Sequence, residues 1–383
     1  MGRGLLQHIA VNRFPPVRVI LLAAGVFVLG ACTTRQVTRT TPPPLLNSTP
    51  AEQVADIDVL AMTPDMHAFM QRYILPYSNP ETRLRLLVLA INSSGVLGFD
   101  YDESRTLTAA EAFRTRSGNC IGFANMMVAL AREAGLKARY QEVYRQPEWS
   151  SRDDTFLLLK HINVVVSSPR YTYELDISGV KLRDSARRRV ITDHAASALY
   201  FNNIGAEALL ENQLPMAWAY LAKSIDTAPS LTDPWVNLGV VLGRNEQLDE
   251  AEFAYQTALQ LDNSDFSAMS NLYEIYLELE DVQAAESLHN KVENYRRKNP
   301  YYLMKLSEEA LEQARFEDSI NLLERAIRKQ DNDHQLHFAL ARTQYLSGET
   351  TAANSSLLRA RQLAPQDMLA HYNRPLKELV LEY

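Results

Sequence analysis

The residues in this chain that could do covalent chemistry are Cys120, His161 and Asp176. Cys120 follows Ser117-Gly118-Asn119 and opens the run Ile121-Gly-Phe-Ala-Asn-Met-Met-Val-Ala-Leu-Ala-Arg-Glu-Ala-Gly135. Phe123, Met127, Leu130 and Ala134 fall on one face at helical period, and Gly135 is a C-cap signal, so the run predicts a helix with Cys120 at its N-terminus. Unpaired N–H groups and the helix dipole there favour the thiolate, which is the nucleophilic form of a cysteine. His161 lies in the strand-like Leu158–Val166, and Asp176 lies fifteen residues on in Tyr171–Ile177. Two antiparallel strands joined by the short Ser167-Ser168-Pro169 turn place such residues side by side. Sulfur attack on a carbonyl, assisted by an imidazole and a carboxylate, is the chemistry this set could perform.

The elements that must position these residues are legible on both sides. Residues 51–118 read as helices, with Glu81–Gly95 strongly apolar and Gly95 as its stop. Thr108-Ala-Ala-Glu111 is a capping box that opens a short helix ending near Gly118. Downstream, Ala138–Tyr144 alternates as a strand, followed by Leu158–Val166 and Tyr171–Ile177. Gln146–Thr155, which holds Trp149, reads as the connection between the first two strands; a lid over a cleft and a solvated loop are both open for it. Arg187-Arg188-Arg189 reads as a solvated charge run in a linker.

Taken together, R-S-G-N-C-x-G-F-A, A-L-A-R-E-A-G-L-K-A-R-Y, K-H-I-N-V-V-V and Y-E-L-D resemble the transglutaminase-like superfamily over roughly residues 80–185. The resemblance implies an α+β, papain-like cysteine domain over residues 51–190. It also implies a triad in which Cys120 is the nucleophile, His161 the base and Asp176 the orienter. The chain departs from the family where Lys160 and Ile162 flank His161 without an aromatic, and no side-chain oxyanion donor is evident. The Cys120 backbone N–H, at the helix start, is the oxyanion donor its position implies. The acyl-thioester would pass to water or to an amine, and the sequence does not choose.

The N-terminus reads as an address. Residues 1–18 carry Arg3, Arg13 and Arg18 without an acid, and residues 19–31 are an uncharged apolar run too short to span a bilayer. Leu29-Gly30-Ala31-Cys32 resembles the bacterial lipobox, which implies cleavage after residue 31 and lipidation of Cys32. Thr33 in place of Asp favours the outer membrane, with the body on its periplasmic side. Residues 32–50, rich in Thr and Pro, read as a tether with polyproline character. Cleavage would leave Cys120 as the one thiol not used by lipid, so no intrachain disulfide is expected.

From residue 198 the helical pattern repeats at 34 residues, with starts at 198, 232, 266, 300 and 334. The twentieth position reads Ala217, Ala251, Ala285, Ser319 and Ala353. The eighth is small in all but Tyr273, and Trp235-Val-Asn-Leu238-Gly239 begins the cleanest copy. This resembles the tetratricopeptide repeat (TPR), an all-α solenoid whose small residues let paired helices cross closely. Residues 368–383 read as a capping helix broken at Pro375. Asn203, Asn237 and Asn271 recur at the sixth position; a ladder of amides for an extended peptide and an ordinary repeat feature are both open for them.

Composition sets the outer bounds. With 39 basic and 46 acidic residues in 383 the net charge is −7, and loss of three leader arginines takes it to −10, which disfavours nucleic acid. No phosphate-binding glycine loop is present, so no cofactor is expected, and His334 with His337 lack a third ligand, so no metal is. The expectation is an envelope lipoprotein that hydrolyses a peptide or side-chain amide, with repeats recruiting a protein partner or substrate. The alternative is a non-catalytic periplasmic adaptor in which both domains bind protein.

Overall fold

A computed structural model of the chain describes residues 10–14, 41–46, 54–93, 95–102, 104–152, 155–168, 171–177 and 187–379. In chain order the first elements are β1 (Ala10–Phe14), α1 (Pro64–Tyr73), α2 (Pro80–Asn92), β2 (Asp100–Tyr101), α3 (Ala109–Thr115), β3 (Ser117–Gly118) and α4 (Cys120–Glu133). The strands β4 (Lys137–Arg152), β5 (Thr155–Ser167), β6 (Thr172–Asp176) and β7 (Arg187–Ile191) follow. The remainder is helical: α5 (Asp193–Leu210), α6 (Leu214–Thr227), α7 (Thr232–Arg244), α8 (Leu248–Leu261), α9 (Phe266–Glu278), α10 (Val282–Arg296), α11 (Pro300–Glu312), α12 (Phe316–Ile327), α13 (His334–Leu346), α14 (Thr350–Leu363), α15 (Gln366–Tyr372) and α16 (Leu376–Leu379). The chain divides into two compact units, residues up to 146 with 160–279, and residues 147–159 with 280–383.

In the first unit, short polar side chains start the helices. Thr63 caps α1, Asn79 caps α2 with Pro80 at the first position, and Thr108 with Glu111 completes a reciprocal capping box on α3. The five-stranded sheet has the order β1-β6-β5-β4-β7, with β1/β6, β5/β6 and β4/β7 antiparallel. The core lies between sheet and helices: Met66, Met70, Leu87 and Ile91 meet Phe123, Met127 and Leu130 of α4, and Val164, Val166 and Leu175 of the sheet. Every residue of α4 from Ile121 to Ala131 is buried, so it is a central helix rather than one with a single apolar face. Arg83 satisfies carbonyls of Leu75, Tyr77 and Ala134, which pins the loop between α1 and α2 to the end of α4.

Several segments differ from their sequence-based expectations. Within Gln146–Thr155, residues 146–152 belong to β4 and Thr155 to β5, while residues 153–154 lie outside the described residues; pairing between these neighbouring strands outweighs the polar, Pro-containing composition. Arg187–Arg189 are not a linker. They form edge strand β7 paired to β4, with Arg189 bonded to Glu142 at 2.6 and 3.1 Å and Arg188 to Glu174 at 2.8 Å. Of the expected tether, residues 41–46 are seated with Pro42 and Pro43 buried. Residues 10–14, inside the expected leader, form β1; Cys32 lies outside the described residues.

The helical repeats keep their period in three dimensions. The second helix of each pair begins at Leu214, Leu248, Val282, Phe316 and Thr350, each 34 residues from the last. The turn before it carries a left-handed residue at Asn212, Glu246, Glu280, Ala314 and Gly348, again every 34 residues. In four of the five, the next residue's N–H reaches back five residues to a helix carbonyl at 2.8–2.9 Å, closing the first helix with a Schellman bond. A Cβ at Gly205 would lie 2.8 Å from Leu221, and one at Gly239 2.5 Å from Tyr255, so these glycines exist for close helix crossing. The first repeat departs at its start: α5 begins at Asp193, five residues ahead of 198, capped by Thr192. Pro375 breaks the terminal segment into α15 and α16, whose Tyr372, Leu376 and Leu379 cover Phe338, Ala341 and Leu357. Residues 380–383 lie outside the described residues.

Candidate functional site

Cys120 is the first residue of α4, and the segment before it is fixed by backbone pairing. Parallel β2 and β3 pair Asp100 with Ser117 and Tyr101 with Gly118, and the Asn119 N–H donates to Arg105 O at 3.0 Å. Gly118 sits at φ +154°, outside what an L side chain adopts readily, and this bend delivers Asn119 to the cap position. Asn119 Oδ1 accepts the Gly122 N–H at 3.0 Å, and its carbonyl accepts the Phe123 N–H at 2.9 Å. The helix start is therefore rigid, while Cys120 itself remains partly exposed.

His161 and Asp176 are brought together as the strand reading anticipates. His161 Nε2 and Asp176 Oδ2 are 2.5 Å apart, and both residues are buried, at 7% and 5% exposure. The antiparallel register pairs Val164 with Leu175 and Val165 with Glu174, and strand alternation carried on from it puts His161 and Asp176 on one face of the sheet. Cys120 lies close enough to the His161 ring to act on its charge, together with Asp176. Burial acts to lower the His161 pKa, but Asp176 and Cys120 outweigh it and raise the pKa to about 9. At neutral pH this ring is an imidazolium between a carboxylate and a sulfur.

Three neighbours escape a sequence reading. Asn119 Nδ2 donates to Thr106 Oγ1 at 2.7 Å, and Thr106 Oγ1 donates to Glu207 Oε1 at 2.6 Å. Burial raises the Glu207 pKa. This relay ties the cap beneath Cys120 to α5, the first repeat helix; the Asn before an apolar run was its sole sequence signal. Asn163, two residues from His161 on the same face, is fully buried, and neither side-chain amide atom has a hydrogen-bond partner among the described residues. Such a pair of orphan groups costs on the order of 1–3 kcal/mol each unless something satisfies them.

The other sequence-selected residues lie elsewhere. Asn237 Nδ2 donates to Asn202 Oδ1 at 2.9 Å, which ties neighbouring helices together, and Asn271 is half-buried beside Tyr255. Asn203 is half-buried on α5. His334 Nδ1 meets Tyr372 Oη at 2.8 Å and His337 Nε2 meets Asp331 O at 3.0 Å. Among the described residues no group of three or more His, Cys, Asp or Glu is disposed to hold a metal ion.

Residues 67–202 match the transglutaminase-like superfamily. The chain carries a transglutaminase-like domain. The match is wider than the motif resemblance at both ends, reaching from α1 into α5. That agrees with Met66, Met70, Ala196, Tyr200 and Phe201 sharing a core with α4. The helical part is a TPR array, as the 34-residue recurrence of helix starts and left-handed turns shows. Among solved structures the chain is similar to MamA of Desulfovibrio magneticus RS-1, with 16% identity, TM-score 0.29, and coverage of 45% of this chain and 96% of that one. It is also similar to PilF of Pseudomonas aeruginosa, with 17% identity, TM-score 0.35, and coverage of 50% and 96%. YrrB, described as a TPR protein with an unusual peptide-binding site, shows 15% identity, TM-score 0.27, and coverage of 46% and 91%. No curated protein matches the chain.

Proposed function

We propose that the transglutaminase-like domain performs thiol-dependent acyl transfer, most simply hydrolysis of a peptide or side-chain amide, and that the TPR array recruits its protein substrate or partner. The observation that carries this reading is the buried His161–Asp176 pair at 2.5 Å, with Cys120 beside the ring and partly exposed at a capped helix start. An adaptor has no need of an accessible sulfur beside an imidazole that is itself held by a buried carboxylate.

In the proposed cycle the Cys120 thiolate attacks the amide carbonyl carbon, forming a C–S bond and an oxyanion that accepts from the Cys120 backbone N–H. Collapse breaks the C–N bond, and the His161 imidazolium protonates the departing amine. Neutral His161 then takes a proton from water as its oxygen attacks the thioester. The C–S bond breaks, the acid leaves, and the thiolate–imidazolium pair is restored. An amine in place of water gives a new amide. Asp176 holds Nε2–H throughout, which leaves Nδ1 for proton exchange.

The reading extends to the envelope. A leader ending at Ala31 and a lipid on Cys32 would put the body on the periplasmic face of the outer membrane. With residues 41–46 seated on the repeats, residues 33–40 separate that segment from Cys32, and a fully extended chain of that length reaches about 30 Å.

A glutamine-mimetic diazoketone peptide tests the chemistry. The expected result is one covalent adduct, on Cys120 by peptide mass mapping, abolished in Cys120→Ala and strongly slowed in His161→Ala. A chain that stays unlabelled while Cys120 reacts freely with small alkylators would favour the adaptor.

A further inference from the structure

Residues 41–46, Thr-Pro-Pro-Pro-Leu-Leu, lie against the first two repeats through main-chain groups. Trp218 Nε1 on α6 donates to Pro43 O at 2.8 Å. Gln247, which caps α8, uses both ends of its amide: Nε2 donates to Pro44 O at 3.1 Å and Oε1 accepts from Leu46 N at 2.8 Å. Asn245 Nδ2 donates to Leu46 O at 2.9 Å and also to Gln247 Oε1 at 2.8 Å, which fixes the orientation of the glutamine. Pro42 and Pro43 are buried, and Gln247 is 6% exposed.

The contact has the form of ligand recognition. An amide side chain that bonds a carbonyl and the N–H two residues later reads an extended backbone as a neighbouring strand would, and an indole N–H adds a third fixed donor. Three successive prolines pre-set that backbone at low entropic cost, and none of their missing N–H groups is needed: the N–H that Gln247 accepts is that of Leu46. The equivalent position in the first repeat is Gln213, which instead bonds Glu211, and in the third it is Asp281, which caps α10. The arrangement is thus particular to the second repeat and not a by-product of the TPR pattern.

We propose that Trp218, Asn245 and Gln247 form a recognition site for an extended proline-rich peptide, and that residues 41–46 fill it in cis. A proline-rich segment of another protein, with an N–H two residues after its last proline carbonyl, competes with the strap. The site is separate from Cys120 and does not rest on the catalytic reading.

The test uses the full chain with Pro42→Gly, Pro43→Gly, Pro44→Gly and Leu46→Pro together, which removes the pre-set backbone and the accepted N–H. The probe is a fluorescein-labelled peptide of the sequence Thr-Thr-Pro-Pro-Pro-Leu-Leu-Asn, followed by anisotropy. The strap-substituted chain should bind it, and the wild-type chain should bind at least about tenfold more weakly, because a tethered competitor acts at an effective concentration near millimolar. Gln247→Ala or Trp218→Phe in the strap-substituted chain should each weaken binding several-fold with the circular dichroism spectrum unchanged. Absence of binding to the strap-substituted chain overturns the proposal. So does equal binding to the wild type, or binding indifferent to both side chains.

Discussion

At the scale of the residue, the account turns on His161. Its ordinary pKa is about 6.5. Burial pulls it down, and the Asp176 and Cys120 contacts raise it to about 9. Because the folded value lies above the unfolded one, the imidazolium contributes stability that is complete below pH ~6.5 and is lost as pH rises through about 9. The His161 ring signals in NMR should titrate with a midpoint near 9. Asp176→Asn should move that midpoint down by more than one unit, since burial then acts with one opposing contact fewer. A wild-type midpoint at or below 6.5 would contradict this arrangement. The place of Cys120 at a helix start, and of His161 and Asp176 on neighbouring strands, was legible in the sequence because the period and cap signals there are strong. Asn163 was not: strand alternation puts it on the His161 face, but only the structure shows its amide buried without a hydrogen-bond partner among the described residues.

At the scale of the element, the decisive feature is the start of α4. Asn119 closes the helix through Gly122 and, through Thr106, reaches Glu207. Asn119→Ala should cost about 1 kcal/mol in urea unfolding, the usual value of a lost cap. It should also slow covalent labelling of Cys120 several-fold, because the first turn that holds the sulfur loses its anchor. Labelling unchanged at that stability loss would show that the cap does not position the nucleophile. The cap was readable from Ser-Gly-Asn before an apolar run, but the relay was not, since Glu207 lies 101 residues from Thr106 and no local pattern links them. The same limit explains the β4–β5 pair: local composition at Gln146–Thr155 favours a loop, and only the partner strand makes its described residues strand.

At the scale of the whole molecule, one helix serves two architectures. α5 completes the core of the transglutaminase-like domain with Ala196, Tyr200 and Phe201 and opens the TPR array with Gly205 against Leu221. Its start is tied to α4 by the two-point Arg132–Asp193 pair at 2.6 and 2.9 Å, a partly exposed contact of about 0–1 kcal/mol that sets direction more than stability. This shared use is why the first repeat begins ahead of its period. The 34-residue period of the repeats was legible because close crossing restricts the small positions, whereas the start of the first helix, set by the neighbouring domain, was not. Gly239→Val should destabilise the chain by about 1–3 kcal/mol in thermal or urea unfolding, because a Cβ would stand 2.5 Å from the Tyr255 ring. Below its melting range the variant should keep wild-type labelling at Cys120, whose supporting groups lie on other elements. Full stability would mean that the ring moves aside and the small position is not a packing constraint.

The most direct test of the central claim is the rate at which iodoacetamide alkylates Cys120 at pH 6.5, in the full chain and in His161→Ala. If His161 assists the sulfur, the wild type reacts at least about tenfold faster than the variant, roughly 1.4 kcal/mol in activation free energy. Equal rates in the two chains would contradict the account, because the sulfur would then owe nothing to the imidazole beside it.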